Sequence, residues 1–375
     1  MEVVHAYKIY RPDADGGIPQ VISCLCSTKN PDVRARIVVS RARGPSRSMV
    51  FDGIQVDAVG SLGTAFSMPL SPKFPIALHR AAKHADVVVH HAPFPLTDIA
   101  ALSLNPRTAL VIYWHAEVVG RGLLLAAAAP FMRAALSRAD RIVVSDQSIL
   151  NASTLLRPYQ SKCAVIPYGL DVRYWQLAEQ DAVARLRQRF PRLVLSVGRL
   201  VPYKGFDVLL SALPSIDCQL AIIGEGPLDG ELRAQARRLQ VDDRVHFLGR
   251  IEADMVRQYV HAARVFVLAS VSPAEAFGLV QVEAMAAGCP VVNTSLNTAV
   301  PNVARHGHEG TTVEPGNPAA LAAAVNELLA DPKLARAYGE SGQIRASSEF
   351  DQDVYRSRIE NVLAEAIAHR RQSEN

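Results

Sequence analysis

Residues 273–292 read PAEAFGLVQVEAMAAGCPVV, and this segment places two carboxylates around a glycine turn. The apolar spacing after Gly278 predicts that a helix begins there. A helix N-terminus carries unpaired N–H groups and a partial positive charge, which suit a phosphate group. Glu283 lies one turn into this helix, where it can accept hydrogen bonds from ribose hydroxyls, and Glu275 lies on the preceding loop. The segment therefore predicts an anion site with amides from Phe277, Gly278 and Leu279.

A second anion-binding loop is predicted at residues 198–205, which read GRLVPYKG and follow an apolar run. Two cations on one tight loop at the carboxyl end of a strand suit a diphosphate, Arg199 as a bidentate clamp and Lys204 as a point charge. The alternative is a surface pair separated by a proline turn. For the first segment, the alternative is an amphipathic helix start with one capping carboxylate.

Short apolar runs rich in Val and Ile alternate with helical stretches along the whole chain. Such runs are typical of strands buried on both faces, and the alternation predicts parallel sheets. The predicted strands of the first half are residues 3–9, 35–39, 54–59, 87–89, 109–113, 141–144 and 164–166. A second set follows at residues 193–197, 219–223, 245–248, 265–268 and 290–293. The two sets predict an α/β protein whose two doubly wound domains face each other across a cleft.

The spacing Glu-x7-Glu around Ala-Phe-Gly-Leu, followed by Glu-Ala-Met-Ala-x-Gly-x-Pro-Val-Val and preceded by Gly-Arg-x4-Lys-Gly, resembles the signature of retaining glycosyltransferases of family 4. Members of that family have the GT-B fold, with two Rossmann-like domains. The resemblance implies an acceptor-binding domain over residues 1–170 and a nucleotide-sugar-binding domain over residues 171–350. It also implies that a C-terminal helix over residues 351–375 returns to the first domain.

The resemblance also implies roles for individual side chains. Arg199 and Lys204 would bind the donor diphosphate and offset the charge that develops as the nucleotide leaves. Glu275 would orient the donor sugar and stabilise positive charge at its anomeric carbon. His115, directly after an apolar strand, would contact the transferred sugar, with Glu117 as a weaker candidate on the acceptor side. The alternative for His115 is a ring satisfied by its neighbours, as is expected of His90 and His91.

Three turns complete the predicted nucleotide site. Gly16 and Gly17 follow the first strand and would let the backbone approach a ligand closely. By resemblance, Gly224 would line the nucleotide pocket, and Ile251 would meet the base. Asp13-Ala-Asp15 mimics the metal clip of another glycosyltransferase architecture, but its place before the glycine pair favours helix capping. The sequence therefore predicts neither a metal nor another cofactor.

Composition indicates a globular chain with ordinary cores, since 49% of its 375 residues are hydrophobic. The five cysteines form no Cys-x-x-Cys pair, which predicts reduced thiols in a cytoplasmic protein. The N-terminus lacks the layout of a signal peptide. The longest apolar run, residues 122–132, is too short to span a bilayer.

The two halves of the chain differ in charge. Residues 1–175 contain 19 Lys and Arg against 12 Asp and Glu, a net +7, while the remainder carries −3. The basic half suggests an anionic partner there, either an inner-leaflet membrane surface or a phosphorylated acceptor, and no nucleic acid is expected. Residues 121–138 would be either an interfacial segment or a helix buried against the first sheet. For any single arginine, a solvated surface residue is the alternative.

The predicted activity is transfer of a hexose from a nucleotide sugar with retention of configuration. Residues 113–119 and 297–307 resemble bacterial family-4 enzymes that build lipopolysaccharide or exopolysaccharide on a polyprenyl diphosphate, many of them mannosyltransferases that use GDP-mannose. GDP-mannose is therefore the expected donor, with a UDP-hexose as the alternative, and the expected acceptor is a lipid-linked oligosaccharide. No carboxylate is placed as a nucleophile, which favours same-face attack. The other classes are a sugar phosphorylase or nucleotide-sugar epimerase of the same fold, and a nucleotide-binding module without catalysis.

Overall fold

A computed structural model of the chain describes residues 1–14, 16–28, 30–65, 68–116 and 122–372, with side chains placed for these except 122–125 and 127. The chain forms two compact units. The first comprises Met1–Gly169 and Asp353–Asn375, and the second comprises Leu170–Gln352.

The first unit is built on an eight-stranded sheet with the strand order β10-β9-β8-β7-β1-β2-β4-β3, and β5 and β6 form a separate pair. All neighbours in the large sheet run parallel except β3, which is antiparallel to β4. The strands are β1 (Glu2–Tyr7), β2 (Arg34–Ser40), β3 (Arg47–Phe51), β4 (Ile54–Val59), β5 (Thr64–Ala65), β6 (Met68–Pro69), β7 (Val87–Ala92), β8 (Ala109–Trp114), β9 (Arg141–Val144) and β10 (Cys163–Val165). The helices between them are α1 (Gly17–Cys26), α2 (Phe74–Ala82), α3 (Pro95–Ala101), α4 (Gly122–Arg138) and α5 (Gln147–Ala152).

The second unit contains a six-stranded parallel sheet with the order β13-β12-β11-β14-β15-β16. Its strands are β11 (Leu193–Val197), β12 (Gln219–Ile223), β13 (Val245–Gly249), β14 (Val265–Val267), β15 (Val291–Thr294) and β16 (Gly310–Val313). Its helices are α6 (Val172–Gln176), α7 (Gln180–Arg189), α8 (Phe206–Ala212), α9 (Asp229–Arg238), α10 (Ala253–Ala262), α11 (Leu279–Ala286), α12 (Val300–Val303), α13 (Pro318–Ala330) and α14 (Pro332–Glu349). This is the doubly wound order 3-2-1-4-5-6, which reverses between β11 and β14.

Burial of both faces explains why apolar runs predicted these strands. Every residue of β7 and β8 is buried, so each side chain meets a helix layer and no polar alternation is needed. The cores of both units are accordingly dominated by Val, Leu, Ile and Ala. The prediction of two α/β Rossmann-like domains is confirmed.

The last helix, α15 (Gln352–Gln372), packs on the first unit. The Tyr355 hydroxyl donates to the Tyr113 hydroxyl at 2.9 Å, and Tyr355 is fully buried. Arg356 donates from Nε to the carbonyl oxygen of Cys24 at 2.7 Å. A buried phenol pair and a charge-assisted hydrogen bond attach the helix to this unit.

Helix α4 has some side chains buried in the first unit and others exposed at its surface. Met132, Ala135 and Leu136 are buried in the core of the first unit, whereas Phe131 on the same turn is 42% exposed. No helix in the described part of the chain is long and apolar enough to cross a membrane.

Candidate active site

The predicted nucleotide-binding residues of the second unit follow adjacent strands of one sheet. Ile251 follows β13, Gly224 follows β12, Lys204 follows β11 and Glu275 follows β14. Because the strands are parallel, all four lie at the carboxyl edge of the sheet. The loops after β11 and β14 flank the reversal of strand order, where doubly wound sheets bind their ligands.

Two glycines hold these loops against each other. Gly205 has φ +67°, and a Cβ there would lie 2.0 Å from the carbonyl oxygen of Ala269 on the loop after β14. Gly224 has φ +141°, and its Cβ would lie 1.9 Å from the carbonyl oxygen of Gly198. Both distances are impossible for a real side chain, so each loop depends on glycine for its backbone path. The structure therefore explains why residue 224 is glycine by this close backbone approach, and its contact with a nucleotide stays a prediction.

Lys204 and Glu275 form an ion pair across the switch point. The distance from Nζ of Lys204 to Oε2 of Glu275 is 2.5 Å, and both side chains are about nine-tenths buried, at 12% and 10% exposed. Ser270 donates to the same Oε2 at 3.0 Å. The sequence predicted a role for each residue separately, and the structure brings them into direct contact.

Arg199 lies on the same loop as Lys204, but unlike Lys204 it is exposed to solvent. Its residue is exposed, and among the described residues no carboxylate pairs with its guanidinium. The guanidinium can therefore form a bidentate contact with an anion without first breaking an ion pair.

Glu283 is buried in α11, with 8% of its surface exposed. Burial raises the pKa of its carboxyl to about 7, although the nearby Lys204 ammonium opposes that change. Because the pKa rises from 4.5 to about 7, the ionised carboxyl lowers the stability of the folded, ligand-free protein by about 3 kcal/mol at pH values above the raised pKa. Ligand hydroxyls that donate to the carboxylate would favour its ionised form.

We expect this carboxyl to make the ligand-free protein less stable as pH rises. Between pH 5 and 8 the native state binds more protons at Glu283 than the unfolded state does, so stability falls with pH. The Glu283→Gln variant lacks this titration. Urea unfolding should show wild type losing about 2–3 kcal/mol relative to the variant over that range. An exposed Glu225→Gln variant is the control, and equal pH slopes in all three proteins would contradict the burial effect.

The start of α11 is anchored by a buried polar network that the sequence analysis missed. Gly278 is the N-cap with φ +73°, and Phe277 before it is buried. Gln281 donates to the carbonyl oxygen of Phe277 at 3.1 Å, and its own Oε1 accepts from Asn293 at 2.8 Å. Thr312 donates to Asn293 at 2.8 Å. These amides sit in an apolar run and an apolar helix, which is the signal that could have identified them.

His115 belongs to a row of buried histidines in the first unit. His5 Nδ1 lies 2.9 Å from His91 Nε2, His91 Nδ1 lies 2.8 Å from His115 Nε2, and His115 Nδ1 lies 2.6 Å from the Tyr168 hydroxyl. The ring of His115 also stacks on Tyr113, with centroids 4.5 Å apart.

Burial lowers the pKa of His115 to about 3 and that of His5 to about 4. The row is therefore neutral at physiological pH, and each ring donates one N–H and accepts one. His115 is only 2% exposed, and like His91 it has both ring nitrogens within hydrogen-bond distance of a partner. Its contact with a sugar stays a prediction, which requires Tyr168 or His91 to yield a hydrogen bond.

The glycine pair after β1 begins a helix, as predicted. Gly16 is the N-cap of α1 and Gly17 is its first residue. Among the described residues no side-chain hydrogen bond caps α1, so the expected capping role does not fall to Asp13. Instead, its carboxylate accepts from Nε of Arg41 at 3.1 Å and from the amide of Ala42 at 3.2 Å. Asp15 and Glu117 lie outside the described residues.

Comparisons with known proteins agree with this architecture. The family description "Glycosyl transferases group 1" matches residues 180–345, and "Glycosyltransferase Family 4" matches residues 30–174. The D-rhamnosyltransferase WbpZ of Pseudomonas aeruginosa is 31% identical, over 93% of this chain and 92% of that protein. The O-antigen chain mannosyltransferase C of Escherichia coli is 28% identical, over 94% of this chain and 95% of that protein.

Among solved structures, Anabaena Alr3699/HepE in complex with UDP superposes with a TM-score of 0.79. The match covers 97% of this chain and 100% of that one at 22% identity, so it bears on the fold. The two family matches and the full-length relatives together decide the assignment. The chain belongs to glycosyltransferase family 4, has the GT-B fold, and is an enzyme of the hexosyltransferase class.

Proposed function

We propose that the chain transfers a hexose from a nucleoside diphosphate sugar, with retention of configuration, during assembly of a cell-surface polysaccharide. The observation that carries the proposal is the convergence of Arg199, the Lys204–Glu275 pair and Glu283 at the carboxyl edge of the second sheet. A diphosphate and a ribose require this combination of cations and acceptors. The names of the rhamnosyl- and mannosyltransferase relatives support the product class.

Donor binding would rearrange the ion pair seen in the ligand-free site. Phosphate oxygens compete with Glu275 for the ammonium of Lys204, and Arg199 clamps the same diphosphate. Glu275, still held by Ser270, then faces the sugar and stabilises positive charge at its anomeric carbon. Glu283 accepts from the ribose hydroxyls, the amides of residues 277–279 contact the phosphates, and Gly224 and Ile251 border the base.

Departure of the nucleotide adds negative charge to the leaving phosphate. Arg199 and Lys204 would offset this charge, which is the role that a metal has in other glycosyltransferase architectures, and no metal or other cofactor is included in the proposal. The acceptor hydroxyl attacks the anomeric carbon on the face that the phosphate leaves. A leaving phosphate oxygen takes its proton.

We further propose that the enzyme works at the cytoplasmic face of the inner membrane. In the first unit α2 packs against α3, and α3 packs against α4. Large apolar side chains on these helices or at their ends are exposed, at Ile76, Ile99, Leu102 and Phe131. Three exposed cations, Lys73 at the start of α2, Arg80 on α2 and Arg133 on α4, would be attracted to anionic lipids, each contributing about 1 kcal/mol near the surface.

A donor and acceptor assay tests the proposal. The purified enzyme is incubated with a membrane extract and tritiated GDP-mannose, then with labelled UDP-hexoses. We expect label from GDP-mannose to enter the organic phase as a lipid-linked sugar. If label enters the organic phase only from a UDP-hexose, the donor is a UDP-hexose and not GDP-mannose. If label is found only in a water-soluble product, the acceptor is not lipid-linked. Absence of transfer from every nucleotide sugar would leave a sugar phosphorylase, an epimerase or a binding module.

A further inference from the structure

A cavity lies at the amino edge of the parallel sheet whose carboxyl edge carries the predicted donor loops. It has a volume of about 460 Å³ and is lined by residues that precede three strands: Arg192 before β11, Arg264 before β14 and Pro290 before β15. The sheet is parallel, so this amino edge is a full strand length from Lys204 and Glu275. The cavity is therefore separate from the candidate active site.

Positive charge dominates the wall of this cavity. Four arginines line it, contributed by α7, by two loops and by α14: Arg187, Arg192, Arg264 and Arg336. All four are exposed, and none of the described residues that line the cavity is Asp or Glu. Guanidinium groups around one concavity raise its potential, and the field is focused there because the protein wall has a low dielectric constant.

Hydrogen bonds hold two of these arginines in place. Nη2 of Arg187 donates to the carbonyl oxygen of His261 at 2.8 Å, and Nε of Arg192 donates to the carbonyl oxygen of Asp217 at 2.7 Å. The Asp217 carboxylate, 3.8 Å from Arg192, is 91% exposed and neutralises little of the charge. Within the described residues, Arg264 and Arg336 have no ion-pair partner.

The other lining residues are mostly apolar, among them Val260, Leu328 and Leu329, and they also include His261. Small-molecule sites commonly occupy about 300–1,000 Å³ and combine apolar walls with a few polar groups that fix orientation. Guanidinium groups bind phosphate oxygens in bidentate geometry. The combination fits a molecule with a phosphate group and a less polar portion.

We propose that this cavity binds a phosphate-bearing ligand, held by Arg187, Arg192, Arg264 and Arg336, at a site distinct from that of the sugar donor. The phosphate could belong to a free metabolite or to a phospholipid headgroup, and the recognition chemistry is the same. The proposal does not depend on the identity of the donor or the acceptor.

Calorimetry with inorganic pyrophosphate tests the site, because pyrophosphate has the charge without the nucleotide. The Arg264→Glu/Arg336→Glu variant should bind pyrophosphate at this site at least tenfold more weakly. The Arg199→Ala/Lys204→Ala variant should lose pyrophosphate binding at the donor site and keep pyrophosphate binding in the arginine-lined cavity. The matched control is Arg237→Glu/Arg238→Glu on α9, outside the cavity, which should bind as wild type does. Melting curves establish that each variant is folded.

A vesicle arm separates the two sources of phosphate. Co-sedimentation is measured at low salt with vesicles of phosphatidylglycerol and phosphatidylcholine, and with phosphatidylcholine alone. At least tenfold weaker pyrophosphate binding by the Arg264→Glu/Arg336→Glu variant, with unchanged sedimentation, supports a free ligand. At least tenfold weaker pyrophosphate binding together with weaker sedimentation with anionic vesicles supports a lipid headgroup. If this variant matches the α9 control in both arms, the proposal is overturned.

Discussion

Replacing Lys204 by alanine is expected to lower kcat/KM by about 10- to 150-fold and also to lower the stability of the ligand-free protein. This range corresponds to about 1.5–3 kcal/mol for a charge-assisted contact with the donor diphosphate. Lys204 is the cation nearest to Glu275, at 2.5 Å, and it also acts on the pKa of Glu283. Its removal therefore takes positive charge from the leaving phosphate and leaves two buried carboxylates without their counter-charge.

Initial rates over a range of donor concentrations measure this effect, and Arg199→Ala should show a loss of similar size. The two variants should differ in stability, because Arg199 is exposed and has no carboxylate partner among the described residues. Lys333→Ala, at an exposed lysine of the same unit, is the control and should keep wild-type rates. Wild-type kinetics of either loop variant at saturating donor would show that the diphosphate lies elsewhere.

Replacing Glu275 by glutamine is expected to lower kcat by about 100- to 1,000-fold while nucleotide binding stays nearly intact. The amide keeps the shape of the side chain but cannot stabilise positive charge at the anomeric carbon, and losing one preorganised electrostatic group commonly has an effect of this size. Glu283→Gln should do the reverse, weakening nucleotide binding, because the proposed partner of Glu283 is the ribose. Calorimetry with the nucleotide, together with steady-state kinetics, separates the two effects.

The two glutamate variants also act as controls for each other. Both remove one buried carboxylate from the same site, so a general loss of folding would affect both in the same way. Glu340→Gln, at an exposed position on α14, should leave kcat and binding unchanged. If Glu275→Gln weakens nucleotide binding while Glu283→Gln lowers kcat, the donor lies in the opposite direction along the loop.

The sheet strands of both units could largely be predicted from the sequence because they are buried on both faces. The runs 54–59, 141–144, 193–197 and 219–223 have the same bounds in the structure. Of the four strands at the edges of the two large sheets, β10 and β13 were predicted, whereas β3 and β16 were missed. Strand β3 pairs with β4 through Asp52-Gly53, a two-residue turn with positive φ at both positions. That Asp-Gly signal was present in the sequence, whereas β16, a four-residue GTTV segment, has no apolar run to mark it.

The sequence by itself determined which loops form the candidate site, because the carboxyl ends of parallel strands must share one edge. Arg199, Lys204, Glu275 and Glu283 were identified from their places after these strands together with the resemblance to glycosyltransferase family 4. Only the tertiary structure decided how their charges interact. The 2.5 Å contact between Lys204 and Glu275 and the burial that raises the pKa of Glu283 to about 7 depend on the packing of segments far apart in the chain.

The histidine row and the arginine-lined cavity could not be predicted from the sequence either. His5, His91 and His115 lie on or just after three neighbouring strands, so no local spacing brings them together. Arg192 and Arg264 are separated by 72 positions, yet both stand at the start of a strand in one parallel sheet. Apolar periodicity determines that a strand forms and where it ends. Strand order, which only the folded sheet establishes, determines which polar side chains become neighbours.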